Sequence, residues 1–569
     1  MLLSNLDLLA TAPGGVAKLR ELIFALAVQG KLVPQDPADE PASVLLQKIR
    51  EEKDRLIAEG KIKRDKPLAA IEEGEKPFDL PQGWSLCRLG DLLISIRSGG
   101  TPSKQNSAYW DGDIPWASVK DLGFGDPVTN TQDRITKEGL EAGSQLAIAG
   151  SILICTRMGL GKIGETLIDV AINQDLKAVQ LGSGVHKQYF INYFKTLSVV
   201  GSGMTVAGIK QEELLGFVVP LPPVAEQSRI VTRVESLMRL CDALEAKGQL
   251  EATQHAQLVS TLLGTLTAST TPEELSANWQ RVAQHFDLLL DRLEAIDAPE
   301  QTLLQLAVRG LLVPQDPTDE PASTLLQRIR TEKDRLIAEG KIKRDKPLPP
   351  ITDKEKPFEL PKGWEWVRWA DIAMKIGDID HKMPSEAKEG IPYVSPRDFY
   401  GLNEIDFDGA KKIAYGDYIE LASKIRPQVG DLIYPRYGTI GVVRKVVADR
   451  EFLASYSCAI IKVLHGYIDP DYQYLFSVSE CAKVQAASAT NKTTQPNVGL
   501  KSIQEFLIPL PPLAEQSRIV TRVTALRCLC ADLRQRLAER QSVQARLADA
   551  LMTNNLQTSS PYKDASHAA

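Results

Sequence analysis

Two groups of residues have the chemistry to grip or read a nucleic acid. In the first, Arg97, Thr101, Ser103, Lys104, Gln105 and Asn106 make a polar, basic loop closed by Tyr109 and Trp110. Lys120, Arg157, Lys162 and Lys210 add positive charge nearby in sequence. In the second, Lys382, Arg397, Lys411, Lys412, Lys424, Arg426, Arg436, Lys492 and Lys501 do the same. Arg, Lys, Asn and Gln are the side chains that pair with base edges or hold phosphate oxygens. Taken singly, each would serve equally as solvated surface charge.

Catalytic constellations are missing. There is no (D/N/S)-P-P-(Y/F/W) methyltransferase loop, and Ser560-Pro561-Tyr562 lacks the second proline. The run from Arg157 to Lys162 resembles a phosphate loop but lacks its first glycine, and Ile163 stands where Ser or Thr is needed. It reads as a turn between strands. The histidines at 186, 255, 285, 381, 465 and 567 have no metal-ligand spacing. Seven scattered cysteines without CxxC spacing indicate neither a disulfide framework nor a zinc site, and fit a reducing cytoplasm. No apolar run is long enough to span a membrane, and no basic leader precedes the first apolar residues. The formal net charge is −6, whereas a lone DNA binder carries a basic surplus. DNA contact must then come from local patches or be shared with a basic partner.

The elements that position these residues are written twice. Residues 32–68 return as 312–348 with changes only at 38/318, 44/324, 48/328 and 51/331, and 220–234 return as 509–523 with the single change Val224/Leu513. The two copies of this frame enclose inserts that share almost no sequence. Identical frames imply two equivalent docking surfaces, and unlike inserts imply two different readers. The polar residues of the second block, Glu226, Gln227 and Arg229 with Glu515, Gln516 and Arg518, are the candidate partner contacts.

Apolar spacing predicts a helix over 42–59, capped by Ser43 or the preceding turn and ended by Gly60. Short apolar runs at 151–155, 168–172, 431–434 and 457–463 read as strands, and strands at 216–219 and 505–508 close the inserts. Each runs into Pro-Leu-Pro-Pro, a helix start. Beyond it a 4,3-spaced seam follows: Ile230, Val234, Leu237, Cys241 and Leu244, an interruption at Glu251 and His255, then Leu258 and Leu262. The second seam is Ile519, Val523, Leu526, Cys530 and Leu533, interrupted at Arg540 and Gln544, then Leu547 and Leu551. Matched seams of this kind favour two long helices paired with each other over two separate amphipathic helices.

At these frames the chain resembles the specificity subunit of type I restriction–modification enzymes. The resemblance rests on (I/V)-P-L-P-P-(L/V)-A-E-Q-x-R-I-V at 219–231 and 508–520, L-V-P-Q-D-P-x-D-E-P-A-S at 32–43 and 312–323, and E-K-P-F-(D/E)-L-P-x-G-W at 75–84 and 355–364. Ile114-Pro-Trp116, Ile391-Pro-Tyr393 and the G-D-L-I-Y-P-R-Y-G-T-I-G run at 430–441 lie inside the inserts. The first insert departs from that run, with Ser151 for the aspartate and Met158-Gly-Leu-Gly161 for Tyr-Gly-Thr-Ile-Gly, which counts against a direct DNA role for that turn.

The resemblance implies a mixed α/β chain with two target recognition domains held apart by long antiparallel coiled-coil helices in a pseudo-two-fold repeat. The corresponding domains are a helical frame at 1–83, recognition domain 1 at 84–221, a central helical frame at 222–362, recognition domain 2 at 363–510, and a terminal helix with a polar tail at 511–569. It implies a non-catalytic subunit that binds a bipartite, asymmetric double-stranded DNA site. Two modification subunits using S-adenosylmethionine and two restriction subunits using ATP and Mg would join it, with no cofactor in this chain. The competing classes are a coiled-coil scaffold without DNA readout and a self-contained DNA-modifying enzyme. The first leaves the unlike inserts unexplained, and the second lacks its motif.

Overall fold

The computed structural model describes residues 11–64, 66–197, 199, 208–269, 271–381, 383–491 and 496–557. The chain forms two compact units, Met1–Glu251 with Arg540–Ala569, and Ala252–Glu539.

The first unit begins with helices α1 (Gly15–Val28) and α2 (Ala42–Ala58). α2 buries Ala42, Leu45 and Ile49, the stripe that its spacing predicts. Its start is not capped by Ser43. Pro41 precedes it, and the Ala42 amide donates to the Gly83 carbonyl at 2.9 Å, so a distant loop caps the helix. Insert 1 then supplies β1 (Ser85–Arg88), β2 (Leu93–Ser98), β3 (Trp110–Ala117), β4 (Asp133–Ile135), β5 (Gln145–Ala147), β6 (Ile152–Cys155), β7 (Ile163–Glu165), β8 (Val170–Ile172), β9 (Leu176–Leu181) and β10 (Val218–Leu221). Entry strand β1 and exit strand β10 pair antiparallel, Ser85 opposite Leu221. Between them lie two four-stranded sheets, β2-β9-β6-β7 and β4-β3-β8-β5. Strand β6 is apolar and buried throughout because both its faces are covered. Ile152 and Ile154 enter one core, Leu153 and Cys155 another, as the two-residue period requires.

The long helix α3 (Val224–Ala268) starts directly after Pro222-Pro223. The second unit holds its end, then α4 (Pro272–Gln284), α5 (Asp297–Val308) and α6 (Ala322–Ala338), which repeats α2. Insert 2 runs from β11 (Glu365–Arg368) through β12 (Lys375–Gly377), β13 (Ile391–Val394), β14 (Phe399–Tyr400), β15 (Glu404–Ile405), β16 (Lys411–Ile413), β17 (Leu432–Pro435), β18 (Arg444–Lys445), β19 (Leu453–Ala454) and β20 (Cys458–Lys462) to β21 (Leu507–Leu510). Here too entry and exit strands pair, Glu365 opposite Leu510. The sheet β12-β20-β17-β18 matches β2-β9-β6-β7 in strand order, and β16-β13-β19 matches β4-β3-β8. The second long helix, α7 (Leu513–Gln557), begins in this unit and ends in the first. Each unit therefore takes the start of one long helix and the end of the other.

The seams differ from the heptad expectation in one respect. Ile230, Val234 and Cys241 are buried as predicted, but beyond the polar stretch Val259, Leu263 and Leu266 are buried while Leu258 is exposed. In α7, Ala548 is buried and Leu547 exposed. Val259 lies 18 residues after Cys241, and Ala548 lies 18 after Cys530. Eighteen residues make about five turns of a straight α-helix, which returns to the same face, whereas a strict seven-residue repeat assumes supercoiling. The polar stretch thus follows the straight-helix period, by one residue in both copies.

Candidate nucleic-acid interface

The frame clamp fixes where each insert leaves the helices. Glu226, in the first turn of α3, is buried and accepts hydrogen bonds from Trp84 Nε1 (3.0 Å) and Gln35 Nε2 (3.2 Å). Glu515 does the same with Trp364 Nε1 (2.9 Å) and Gln315 Nε2 (3.2 Å). Gln227 Oε1 accepts from the His186 amide at 2.7 Å, and Gln516 Oε1 from the Asp469 amide at 2.9 Å. Tyr189 and Tyr472 donate their hydroxyls to the carbonyls of Pro220 and Pro509, at 2.7 and 2.6 Å. Glu226, Gln227, Glu515 and Gln516 are therefore not surface docking contacts. They face inward and tie insert, loop and helix together. Burial raises the carboxyl pKa values of Glu226 and Glu515, against the lowering effect of their indole and amide donors. Arg229 and Arg518 remain partly exposed, each paired at 2.6 Å with the repeated aspartate, Asp39 or Asp319.

In insert 1, two loops converge on the segment 173–175. The Gly100 amide donates to Ile172 O at 2.9 Å, and the Thr101 hydroxyl donates to Gln174 Oε1. Thr156 N donates to Asp175 O at 2.8 Å, and Arg157 Nε lies 3.6 Å from the Asp175 carboxylate. The turn at 156–162, which carries Lys162, also binds the backbone next to Lys120 and Lys210. Lys162 Nζ donates to Val119 O at 2.9 Å, and Ile209 N to Thr156 O at 3.0 Å. Arg97, Lys104, Gln105, Lys120, Arg157 and Lys210 are exposed. Arg97 reaches Leu146 O at 3.3 Å. Asn106 is also exposed, but its side chain caps the short helix at Ser107–Tyr109 by accepting from Ala108 N.

In insert 2, Arg397, Arg426 and Lys501 are exposed, Lys501 3.7 Å from Glu505. Lys411 Nζ donates to Pro384 O at 2.5 Å, and half-buried Lys412 follows it on β16. Lys424 pairs with Asp380 at 3.0 Å. Arg436 is not a free cation. Its guanidinium is buried, pairs with Asp378 and donates to Val498 O at 3.1 Å, so it fixes the fold beneath the turn. Lys382 and Lys492 lie outside the described residues.

The two inserts share more than sequence reading indicated. After β3 and β13 comes the same turn. Ser118 N and Oγ donate to Asp121 Oδ2 at 2.8 and 3.0 Å, and Ser395 N and Oγ to Asp398 Oδ2 at 2.7 and 2.8 Å. Lys120 and Arg397 therefore occupy one equivalent, exposed position. The signal was present as I-P-(W/Y)-x-S-x-(K/R)-D at 114–121 and 391–398.

The turn after β6 also has the shape of the turn after β17. Met158 and Gly438 have φ of 59° and 71°, and Gly161 and Gly441 have 87° and 84°. Arg157 bridges Gly208 as Tyr437 bridges Asn497. The departure of the first insert from the 430–441 run is thus a change of side chains on a retained backbone, and it no longer counts against a DNA role for that turn. Its missing aspartate has a separate cause. Asp431 is buried against Lys462 and accepts from Val463 N at 3.1 Å, a structural ion pair that the first insert does without.

No cluster suited to a metal ion occurs among the described residues, and no helix there is long and apolar enough to cross a membrane. The family described as "Type I restriction modification DNA specificity domain" matches residues 81–254 and 361–540. The chain is 36% identical over 568 residues to the type I restriction enzyme EcoEI specificity subunit of Escherichia coli, covering 94% of this chain and 93% of that one. It is 36% identical over 560 residues to the EcoAI specificity subunit of the same organism, with the same coverage. A crystal structure of an HsdS subunit from Thermoanaerobacter tengcongensis aligns over 85% of this chain and 99% of its own at 18% identity, with a TM-score of 0.37. Doubled frame, paired recognition inserts and near-full-length relatives agree: the chain belongs to the type I restriction–modification specificity subunits, the non-catalytic targeting components of their complexes.

Proposed function

We propose that each insert grips one half of a bipartite, asymmetric site on double-stranded DNA and that the doubled frame docks two modification subunits. The observation that carries this reading is the pair of equivalent turns, Ser118–Asp121 and Ser395–Asp398, presenting Lys120 and Arg397 from otherwise unlike inserts. A shared exposed cation suits a sequence-neutral phosphate contact, and unlike surroundings suit unlike bases. The acidic balance of the chain leaves much of the phosphate neutralisation to its partners.

Docking uses the exposed faces of the repeated helices, since the clamp residues are turned inward. One such place is an open groove of about 510 Å³ lined by Val33, Ser228, Arg229, Thr232, Arg233 and Ser236, all but Ser236 within the repeated blocks. A repeated surface takes two copies of one partner. The modification subunits bring S-adenosylmethionine. Two restriction subunits bring ATP and Mg, and the complex works in the cytoplasm.

The experiment is an insert exchange. Residues 85–219 are replaced by the matching segment of a relative with a different target, and methylated adenines are mapped in cells that carry the modification subunits. One half-site should change and the other persist. A change in both together would mean that the inserts do not read independently.

A further inference from the structure

We propose that Met158 makes an apolar contact with a base of the half-site gripped by insert 1. The inference rests on that insert being a DNA reader and names one side chain that sets its specificity.

Met158 has φ of 59° and is 70% exposed. Side chains with a Cβ rarely adopt this left-handed conformation, because Cβ crowds the following carbonyl. The fold does not require a side chain there, since Gly438 fills the same place in insert 2 with φ of 71°. The backbone around the two positions is held alike. Ile209 N donates to Thr156 O at 3.0 Å, and Val498 N to Arg436 O at 2.9 Å. At 70% exposure the thioether contributes little to any core. A strained conformation kept without a packing return is the kind of feature that clusters at functional sites.

The surroundings indicate the ligand. Phe124 is 62% exposed and is tied to the same turn, with Gly125 N donating to Ile163 O at 2.7 Å and Ile163 N to Gly123 O at 3.1 Å. Its ring lies 3.6 Å from where a Cβ on Gly161 would stand. Arg157 is the exposed neighbour of Met158, and Lys120 is exposed on the adjoining loop. Cations beside a protruding apolar tip match phosphate contacts beside a base contact. Isolated surface hydrophobics are common, but this one occupies a position that penalises any side chain. The thioether can meet a thymine methyl or wedge between stacked bases; both are apolar contacts with a base.

The test uses the full chain assembled with its modification subunits and a target duplex taken from mapped methylated adenines. Met158→Gly should keep or raise the melting temperature, because glycine suits the backbone. It should weaken duplex binding about tenfold, the scale of one base contact, while Met158→Leu retains most of the affinity. Duplexes with uracil for thymine in the first half-site should lose affinity with wild type but not further with Met158→Gly if a methyl is touched. A 2-aminopurine signal on binding, present in wild type and absent in Met158→Gly, identifies a wedge. Unchanged affinity and unchanged base preference in Met158→Gly would overturn the proposal. If wild type ignores randomisation of the first half-site altogether, the reading of insert 1 as a reader fails, and the proposal with it.

Discussion

Arg20 on α1 and Glu300 on α5 occupy equivalent places in the two frame copies and carry opposite charge. Each reaches a long helix at equivalent residues that are also reversed. Arg20 pairs with Glu245 at 2.9 Å, and Glu300 pairs with Arg534 at 3.2 Å. Asp242 and Asp297 extend the two clusters. Copies this similar could exchange helices, and a wrong pairing would set Arg20 against Arg534, or Glu300 against Glu245.

Reversing one member should therefore destabilise its own unit. Arg20→Glu places like charges beside Asp242 and Glu245, and Arg20→Glu with Glu245→Arg should restore most of the loss. These groups are partly exposed, so the expected effect is about 0.5–1 kcal/mol. Thermal denaturation of both variants measures it, and a double variant no more stable than the single one would remove the pairing argument.

The clamp predicts a ranked pair of variants. Glu226→Ala leaves the Trp84 indole N–H buried without an acceptor, a loss of about 1–3 kcal/mol. Glu226→Gln keeps one acceptor oxygen and removes a buried charge, so it should cost less. Denaturant midpoints decide the order, and equal losses would argue that the hydrogen bond is unimportant.

The same carboxylates set a pH dependence. Glu226 and Glu515 are held above the usual carboxylate value, chiefly by burial. The folded frame thus keeps these protons to higher pH than the unfolded chain does. Their contribution to stability is fully present below the unfolded pKa, about 4.3, and is lost as pH rises through the raised folded values. Glu226→Gln with Glu515→Gln should flatten stability over that interval, read as denaturant midpoint against pH.

Arg397 and Arg436 should separate DNA binding from folding. Arg397→Ala, like Lys120→Ala, should weaken DNA binding in the assembled complex and reduce the slope of log affinity against log salt by about one, with melting unchanged. Arg436→Ala removes the closest ion-pair partner of buried Asp378 among the described residues, leaving Lys424 at 3.7 Å and His381 at 3.4 Å, and should cost about 3 kcal/mol of stability. Binding at four salt concentrations and a melting curve suffice; an Arg397→Ala variant with an unaltered salt slope would take that residue off the phosphate backbone.

The spacer prediction concerns α3. Four residues added beside the exposed Gly248 lengthen the helix by about 6 Å and rotate it slightly beyond one turn. At about 3.4 Å per base pair, the gap between methylated half-sites should widen by one or two base pairs. Methylation mapping reads the gap, and full activity at the original spacing would show that this helix is not the ruler.

The sequence made the frame, the strands at 152–155, 170–172, 432–435 and 458–462, and the helix starts legible, because repetition and apolar period are local properties. It misplaced what depends on distant partners. Glu226 looked like a docking contact until Trp84 and Gln35 closed over it, and Arg436 looked free although Asp378 lies 58 residues away. A seven-residue period points to Leu258 instead of the buried Val259, because the polar stretch before them keeps the straight-helix period. Lys120 and Arg397 are both legible as cations, but their equivalence rests on the Ser118 and Ser395 hydrogen bonds.

The pairing of Ser85 with Leu221, and of Glu365 with Leu510, has a thermodynamic consequence. An insert anchored by adjacent first and last strands is a closed loop whose ends stay at a fixed separation, whatever its length. Closure entropy grows only as the logarithm of loop length, so the nine-residue excess of the second insert changes it by well under ~0.1 kcal/mol. The frame is almost indifferent to how much chain it carries, and segments of different size and ancestry can be closed by the same four-residue ladder.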